Sequence, residues 1–187
     1  MRRLRLAAEV DSGERTLVDI QCLLDSEDSD IAAEGMKAAA REQMQSIVES
    51  GLSHKFADVR AVALEMLGKA SPTPLPQSLL SFAADKGFRV KKVLIELLSE
   101  KIHQSHEPVL LKLAHDKISD LSHYVGGPDS YPIARAAVEG LSKYEHLSSE
   151  TITELYTIGA GTDDPRCAAQ SSRFLPLGAE LPRKRNS

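Results

Sequence analysis

Residues 90–98 read VKKVLIELL, and the same pattern stands at 59–67 as VRAVALEML and at 133–141 as IARAAVEGL. Each copy opens on a β-branched residue, carries glutamate at its seventh place (Glu65, Glu96, Glu139) and closes on leucine. The apolar positions recur at helical spacing, so each copy reads as a helix with one oily stripe. A unit that returns about every 30 residues cannot bury that stripe alone and must stack on its neighbours. The expected fold is therefore all-α, a solenoid of about five helical hairpins.

Working outward, Val59 to Val90 spans 31 residues, Val90 to Ile133 spans 43 and Ile133 to Pro165 spans 32. A weaker first copy starts at Ile31, 28 residues before Val59, with Met36 in the place of Leu64. Breakers separate the copies. An acidic run at 25–30 offers Ser29 or Asp30 as a helix start, Gly51 ends a helix, and Asp58 is placed to cap the next, which should reach Ala70. Pro72, Pro74 and Pro76 then interrupt the chain. Further helices are expected around Leu79 to Ala83, over 90–102, from Pro108 to about Leu121, over 133–144, from Ser148 or Ser149 to about Ile158, and after Pro165. Ahead of them, Leu17, Ile20, Cys22, Leu23 and Leu24 give a first helix its apolar face. The expected organisation is a basic N-terminal segment at 1–13, a repeat domain at 14–175 and a disordered basic tail at 176–187.

At about 100° per residue, Val59, Val62, Ala63, Met66 and Leu67 share one side, as do Val90, Val93, Leu94, Leu97 and Leu98. These columns are the expected core. The opposite side carries Ala61 and Glu65, Lys92 and Glu96, and Arg135 and Glu139. A third column, Arg60, Lys91 and Arg166, is read as tying adjacent repeats through the turns between helices.

Asp58-Val59-Arg60, with Ala61, Ala63, Leu67 and Gly68, resembles the second helix of the short bacterial HEAT repeat. The likeness covers roughly residues 15–175 and fades where arginine becomes Lys91 or Ala134 and valine becomes Ile133 or Pro165. It implies a right-handed, armadillo-like solenoid whose second helices line a concave surface. On that resemblance Glu65, Lys92, Glu96, Arg135 and Glu139 would lie in the groove.

Composition narrows the function. Aromatics are 4% of the chain and Trp is absent, so the core must be aliphatic. Setting aside the basic residues at the two termini leaves 17 basic against 27 acidic residues, a net −10 over 6–182. Such a body repels phosphate backbones and favours a protein partner with a basic or mixed-charge surface. No apolar run reaches the roughly 18 residues of a membrane span, and no secretory leader is recognisable, so a cytoplasmic address is expected. Cys22 and Cys167 fall near opposite ends of the expected stack and read as reduced thiols.

No nucleophile motif, phosphate-cradling glycine loop or zinc motif appears, so no catalysis, metal or cofactor is expected. His103, His106, His115 and His123 crowd a 21-residue window, with Asp116, Asp120 and His123 on one helical stripe, but no close ligand pair accompanies them. His106-Glu107 is the lone His-Glu dyad, and the HEAT-type iron hydroxylases depend on several. The loop 124–132 interrupts the regular spacing, and its Tyr124 and Tyr131 are candidate recognition anchors beside the charged ladder.

The reading is a non-catalytic scaffold or adaptor that docks a protein on its concave face, such as a bacterial immunity or regulatory protein. Two alternatives are kept. A subunit similar to the HEAT-containing phycobilin lyases would act with a partner chain and give a spectral shift with added bilin. A HEAT-like nucleic-acid repair protein would show steeply salt-sensitive DNA binding, against which the acidic body and absent Trp both weigh.

Overall fold

The structure is a computed structural model, and it describes residues 17–116, 131–161, 169 and 171–174. All regular structure among these residues is helical. In chain order the helices are α1 (Leu17–Leu24), α2 (Ser29–Arg41), α3 (Gln45–Gly51), α4 (Ala57–Ala70), α5 (Gln77–Leu80), α6 (Phe88–Glu100), α7 (Glu107–Ala114), α8 (Pro132–Leu141) and α9 (Ser149–Gly161). Short 3-10 turns follow at Ser81–Ala84, Gln104–His106 and Ser172–Phe174. The chain divides between Ser71 and Pro72 into two compact units. That division falls at the proline-rich stretch, where three of the residues 72–76 lack an N–H and cannot continue a helix.

In the first unit α1 packs on α2, α2 on α3 and α4, and α3 on α4. Its core is rich in small residues: Ala32, Ala33, Ala38, Ala39 and Ala63 surround Ile20, Leu23, Met36 and Val59. Small residues let helices approach closely. A Cβ added to Gly35 would stand 2.7 Å from Leu23 Cβ and 3.1 Å from the Leu24 backbone nitrogen, so only glycine fits there.

The cap of α2 is Asp28, whose carboxylate accepts from the Asp30 and Ile31 amides at 2.9 and 3.4 Å. The helix thus begins at Ser29, one of the two expected start residues, and its cap stands one residue earlier. α2 ends at Arg41, and just beyond its C-cap Glu42 the chain turns at Gln43, which takes a left-handed φ of 55° and lets the Met44 amide reach back to Ala39 O at 2.9 Å. Those two features close a Schellman-type helix end, and the chain resumes as α3.

In the second unit α6 packs against the Ser81–Ala84 turn, α7 and α8, while α7 packs on α8 and α9. Here the core is leucine-rich: Leu79, Leu94, Leu97, Leu98, Leu110, Leu113, Leu141 and Leu155 are all buried. The approach of α8 to α6 is tight at Gly140, where an added Cβ would meet Ser99 Oγ at 2.6 Å.

Several sequence expectations need correction. Asp58 lies inside α4, whose N-cap is Phe56, so its carboxylate sits in the first turn instead of capping it. α6 stops at Glu100 and α8 at Leu141, two and three residues short of expectation, and α7 ends at Ala114. α9 runs on to Gly161. Leu17 and Cys22 are exposed, so the apolar face of α1 narrows to Ile20, Leu23 and Leu24. The core stripe of α4, α6 and α8 is also rotated. Met66 is 39% exposed and Val62, Leu67 and Val93 are half-buried, whereas Ala61, Leu64, Ile95 and Val138 are buried. These helices have packed neighbours on more than one side, so the buried arc is wider than a single stripe and centred elsewhere. The expected last helix after Pro165 and the tail at 176–187 lie outside the described residues, apart from the turn at Ser172–Phe174.

Candidate functional site

α6 buries Val90, Leu94, Leu97 and Leu98, and what remains is one stripe. Its four exposed residues, Arg89, Lys92, Glu96 and Glu100, are all charged. α8 lies against α6 and leaves Glu139 exposed, with Arg135 half-buried one turn before it. Lys92 Nζ stands 3.9 Å from Glu96 Oε1, both more than half exposed. Such an i,i+4 pair contributes about 0.2–0.5 kcal/mol, so the stripe is not required to hold the helix together.

The structure thus brings Lys92, Glu96, Arg135 and Glu139 onto two adjacent helices. Glu65 belongs to the other unit, where it pairs with Lys69 at 2.5 Å. Ala61, expected beside Glu65 on the outer side, is 4% exposed and therefore core. Tyr131 is half-buried at the N-cap of α8, and Tyr124 lies outside the described residues.

The basic column divides in two. Arg60 donates to the carbonyls of His54 and Lys55 at 2.8 and 3.1 Å, closing its own hairpin turn. Lys91 is buried and pairs with Asp116, each side chain 9% exposed, so it joins α6 to the residues just after α7. Arg166 lies outside the described residues.

A second cluster, at 103–107, was legible only in fragments. Glu107 is 3% exposed and receives Ser148 N at 3.0 Å and Ser148 Oγ at 2.6 Å on Oε1, with Gln104 Nε2 on Oε2. Ser148 Oγ in turn accepts from Thr151 N at 3.1 Å, making Ser148 the cap of α9. Burial pushes the Glu107 carboxyl up, but hydrogen bonds from Ser148 and Thr151 outweigh it and hold the pKa below the usual 4.5. Both oxygens are engaged and the group is ionised at neutral pH, so Glu107 is poorly placed to act as an acid or a base. It ties the start of α7 to the start of α9. The sequence marks for this cluster were the His106-Glu107 dyad, Pro108 and Ser148, whose spacing gives no hint that they meet.

His106 is fully buried, in contrast to the exposed His103 and His115. Its Nε2 accepts the Leu75 amide at 2.9 Å. An open depression of about 550 Å³ lies over α7 and α9, lined among others by Glu107, Pro108, Leu111 and Ser148, with His115 and Glu154 paired at 3.2 Å. Among the described residues no group of three or more His, Cys, Asp or Glu side chains could hold a metal ion. Asp116 is occupied by Lys91, and Asp120 and His123 lie outside the described residues. No helix among them is long and apolar enough to cross a membrane. The chain matches no protein-family model, and neither the curated proteins nor the solved structures contain a detectable relative.

Proposed function

We propose that the chain is a non-catalytic interaction scaffold, built as a solenoid of HEAT-like hairpins, that binds another protein through the charged outer stripe of its second helices. The observation that carries this reading is α6: every exposed residue is charged, while the rest of the helix is sealed by neighbours on several sides. The packing order favours the solenoid. In each unit the second helix of one hairpin lies on the second helix of the next, α2 on α4 and α6 on α8. A stripe that runs from the basic Arg89 and Lys92 to the acidic Glu96 and Glu100 suits a partner surface of mixed or basic charge, because complementary pairing sets orientation and encounter rate. The acidic balance of the body adds attraction toward a basic partner. A regulatory or neutralising protein of bacterial type fits this chemistry.

The test is affinity purification from the native cell with mass spectrometry, using the wild-type chain and Glu96→Lys/Glu139→Lys in parallel. One protein enriched by the wild type and lost with the double variant supports the reading. An identical set recovered by both removes the stripe from the account.

A further inference from the structure

We propose that His106 is a proton-operated latch on the strap 72–76, the stretch by which the chain enters its second unit. The strap reads Pro-Thr-Pro-Leu-Pro, so Thr73 and Leu75 supply its only amide donors. Leu75 is 3% exposed, and its N–H is satisfied by His106 Nε2 at 2.9 Å. A ring nitrogen that accepts carries no proton, so the neutral imidazole holds its hydrogen on Nδ1. Among the described residues that Nδ1 finds no well-formed hydrogen bond.

Adding a proton to Nε2 turns the one acceptor for Leu75 into a second donor. The N–H groups then oppose each other, a buried amide loses its partner, and a cation stands at a fully buried position. The surrounding groups give the cation little help. Burial lowers the His106 pKa most, the Lys101 carbonyl pulls it back up, and His103, with its ring centroid 5.7 Å away, lowers it further. The nearby carboxylate, Glu107, is already engaged by Gln104 and Ser148. The hydroxyl of Tyr144 is committed to His103 O at 3.3 Å. Its pKa is raised, chiefly by burial, so it stays neutral.

The sign of the effect follows. The latched histidine has its pKa below the ordinary 6.5, so the released state takes up the proton first as pH falls. Latch strength is complete above about pH 6.5 and declines below it, by at most about tenfold in the latched-to-released ratio per pH unit, until the latched pKa is passed. Acidification thereby frees the strap from its own unit without requiring any change in the leucine core.

The test is amide exchange at Leu75 in the full chain, followed by NMR from about pH 7.5 to about pH 5 and expressed relative to intrinsic rates. It is run beside ring-nitrogen shifts of His106 and on the His106→Gln variant, whose side-chain carbonyl accepts without titrating. The expected result has three parts: an Nδ1–H tautomer at neutral pH, Leu75 protection that falls several-fold with acid while Leu94 protection holds, and a flat profile in His106→Gln. Protection at Leu75 that is constant over the range, or a proton found on Nε2 at neutral pH, overturns the latch. So does an equal decline in His106→Gln. Should that variant fail to fold, the wild-type tautomer and exchange profile decide.

Discussion

Met66 and Leu97 occupy the same place in the repeated pattern, the eighth, yet Met66 is 39% exposed and Leu97 is 2% exposed. The third copy has Gly140 there, also buried. The helices α4 and α6 that carry Met66 and Leu97 are nearly equal in length, so propensity does not separate them. What differs is cover. Within its unit α4 packs on α2 and α3, whereas α6 is flanked by the Ser81–Ala84 turn, α7 and α8. The first unit meets this with alanine and glycine at close helix approaches, the second with leucine. A repeated pattern specifies that a helix forms; the number of elements packed on it decides which positions become core.

The sharpest way to break this contrast is the basic column, where Arg60 and Lys91 also share a register place. Lys91→Met leaves the Asp116 carboxylate nine-tenths buried without its cation, and removing one member of such a pair costs about 3–5 kcal/mol. Arg60→Met gives up hydrogen bonds to two turn carbonyls in a half-exposed setting, with an expected loss on the order of 1.5 kcal/mol. Urea unfolding of both variants reads the difference. Lys91→Met/Asp116→Leu should recover most of the loss, and equal losses in the two single variants would end the contrast. Next in size is the eighth position itself. Leu97→Ala should cost about 2–5 kcal/mol and Met66→Ala less than about 1 kcal/mol, in line with exposed substitutions.

Glu107 sharpens the second unit further. Glu107→Gln keeps the shape but loses a charge-assisted acceptor for Ser148, an expected loss of about 1–3 kcal/mol at neutral pH. Because the folded carboxyl titrates below its ordinary 4.5, its contribution is present above that value. It disappears as pH falls through the lower folded pKa. Acid unfolding followed by circular dichroism should therefore show a shallower acid limb in Glu107→Gln than in wild type, and superimposable limbs would assign the acid sensitivity elsewhere.

The all-helical character was legible because 3.6-residue periodicity, the breakers at Gly51 and Pro72 to Pro76 and the helix start at Pro108 are local properties. Positions Val59 and Val90 were legible as core for the same reason, and both are fully buried. The rotation that buries Leu64, Ile95 and Val138 was not, since it depends on which neighbours arrive from elsewhere in the chain. His106 shows the limit most clearly. Its partner Leu75 is 31 residues away, and nothing local distinguishes this histidine from the exposed His103. Asp28 was missed as a cap because Ser29 and Asp30 compete for that role in an acidic run, and only the backbone geometry chooses among them.

The smallest expected effect is on stability at the charged stripe, and there smallness is informative. Lys92 and Glu96 are 3.9 Å apart and more than half exposed, so Glu96→Lys removes an attraction of a few tenths of a kcal/mol and adds a like-charge contact of similar size. Glu139 is exposed on α8, where Ser142 Oγ donates to its backbone carbonyl at 2.7 Å, a bond that a side-chain change leaves intact. Glu96→Lys/Glu139→Lys should therefore unfold within about 1 kcal/mol of wild type, far from the loss expected of Leu97→Ala. A stripe with little part in the fold can change its charge freely unless something binds there. A large drop in stability would make these glutamates structural and remove the main reason for placing a partner on α6 and α8.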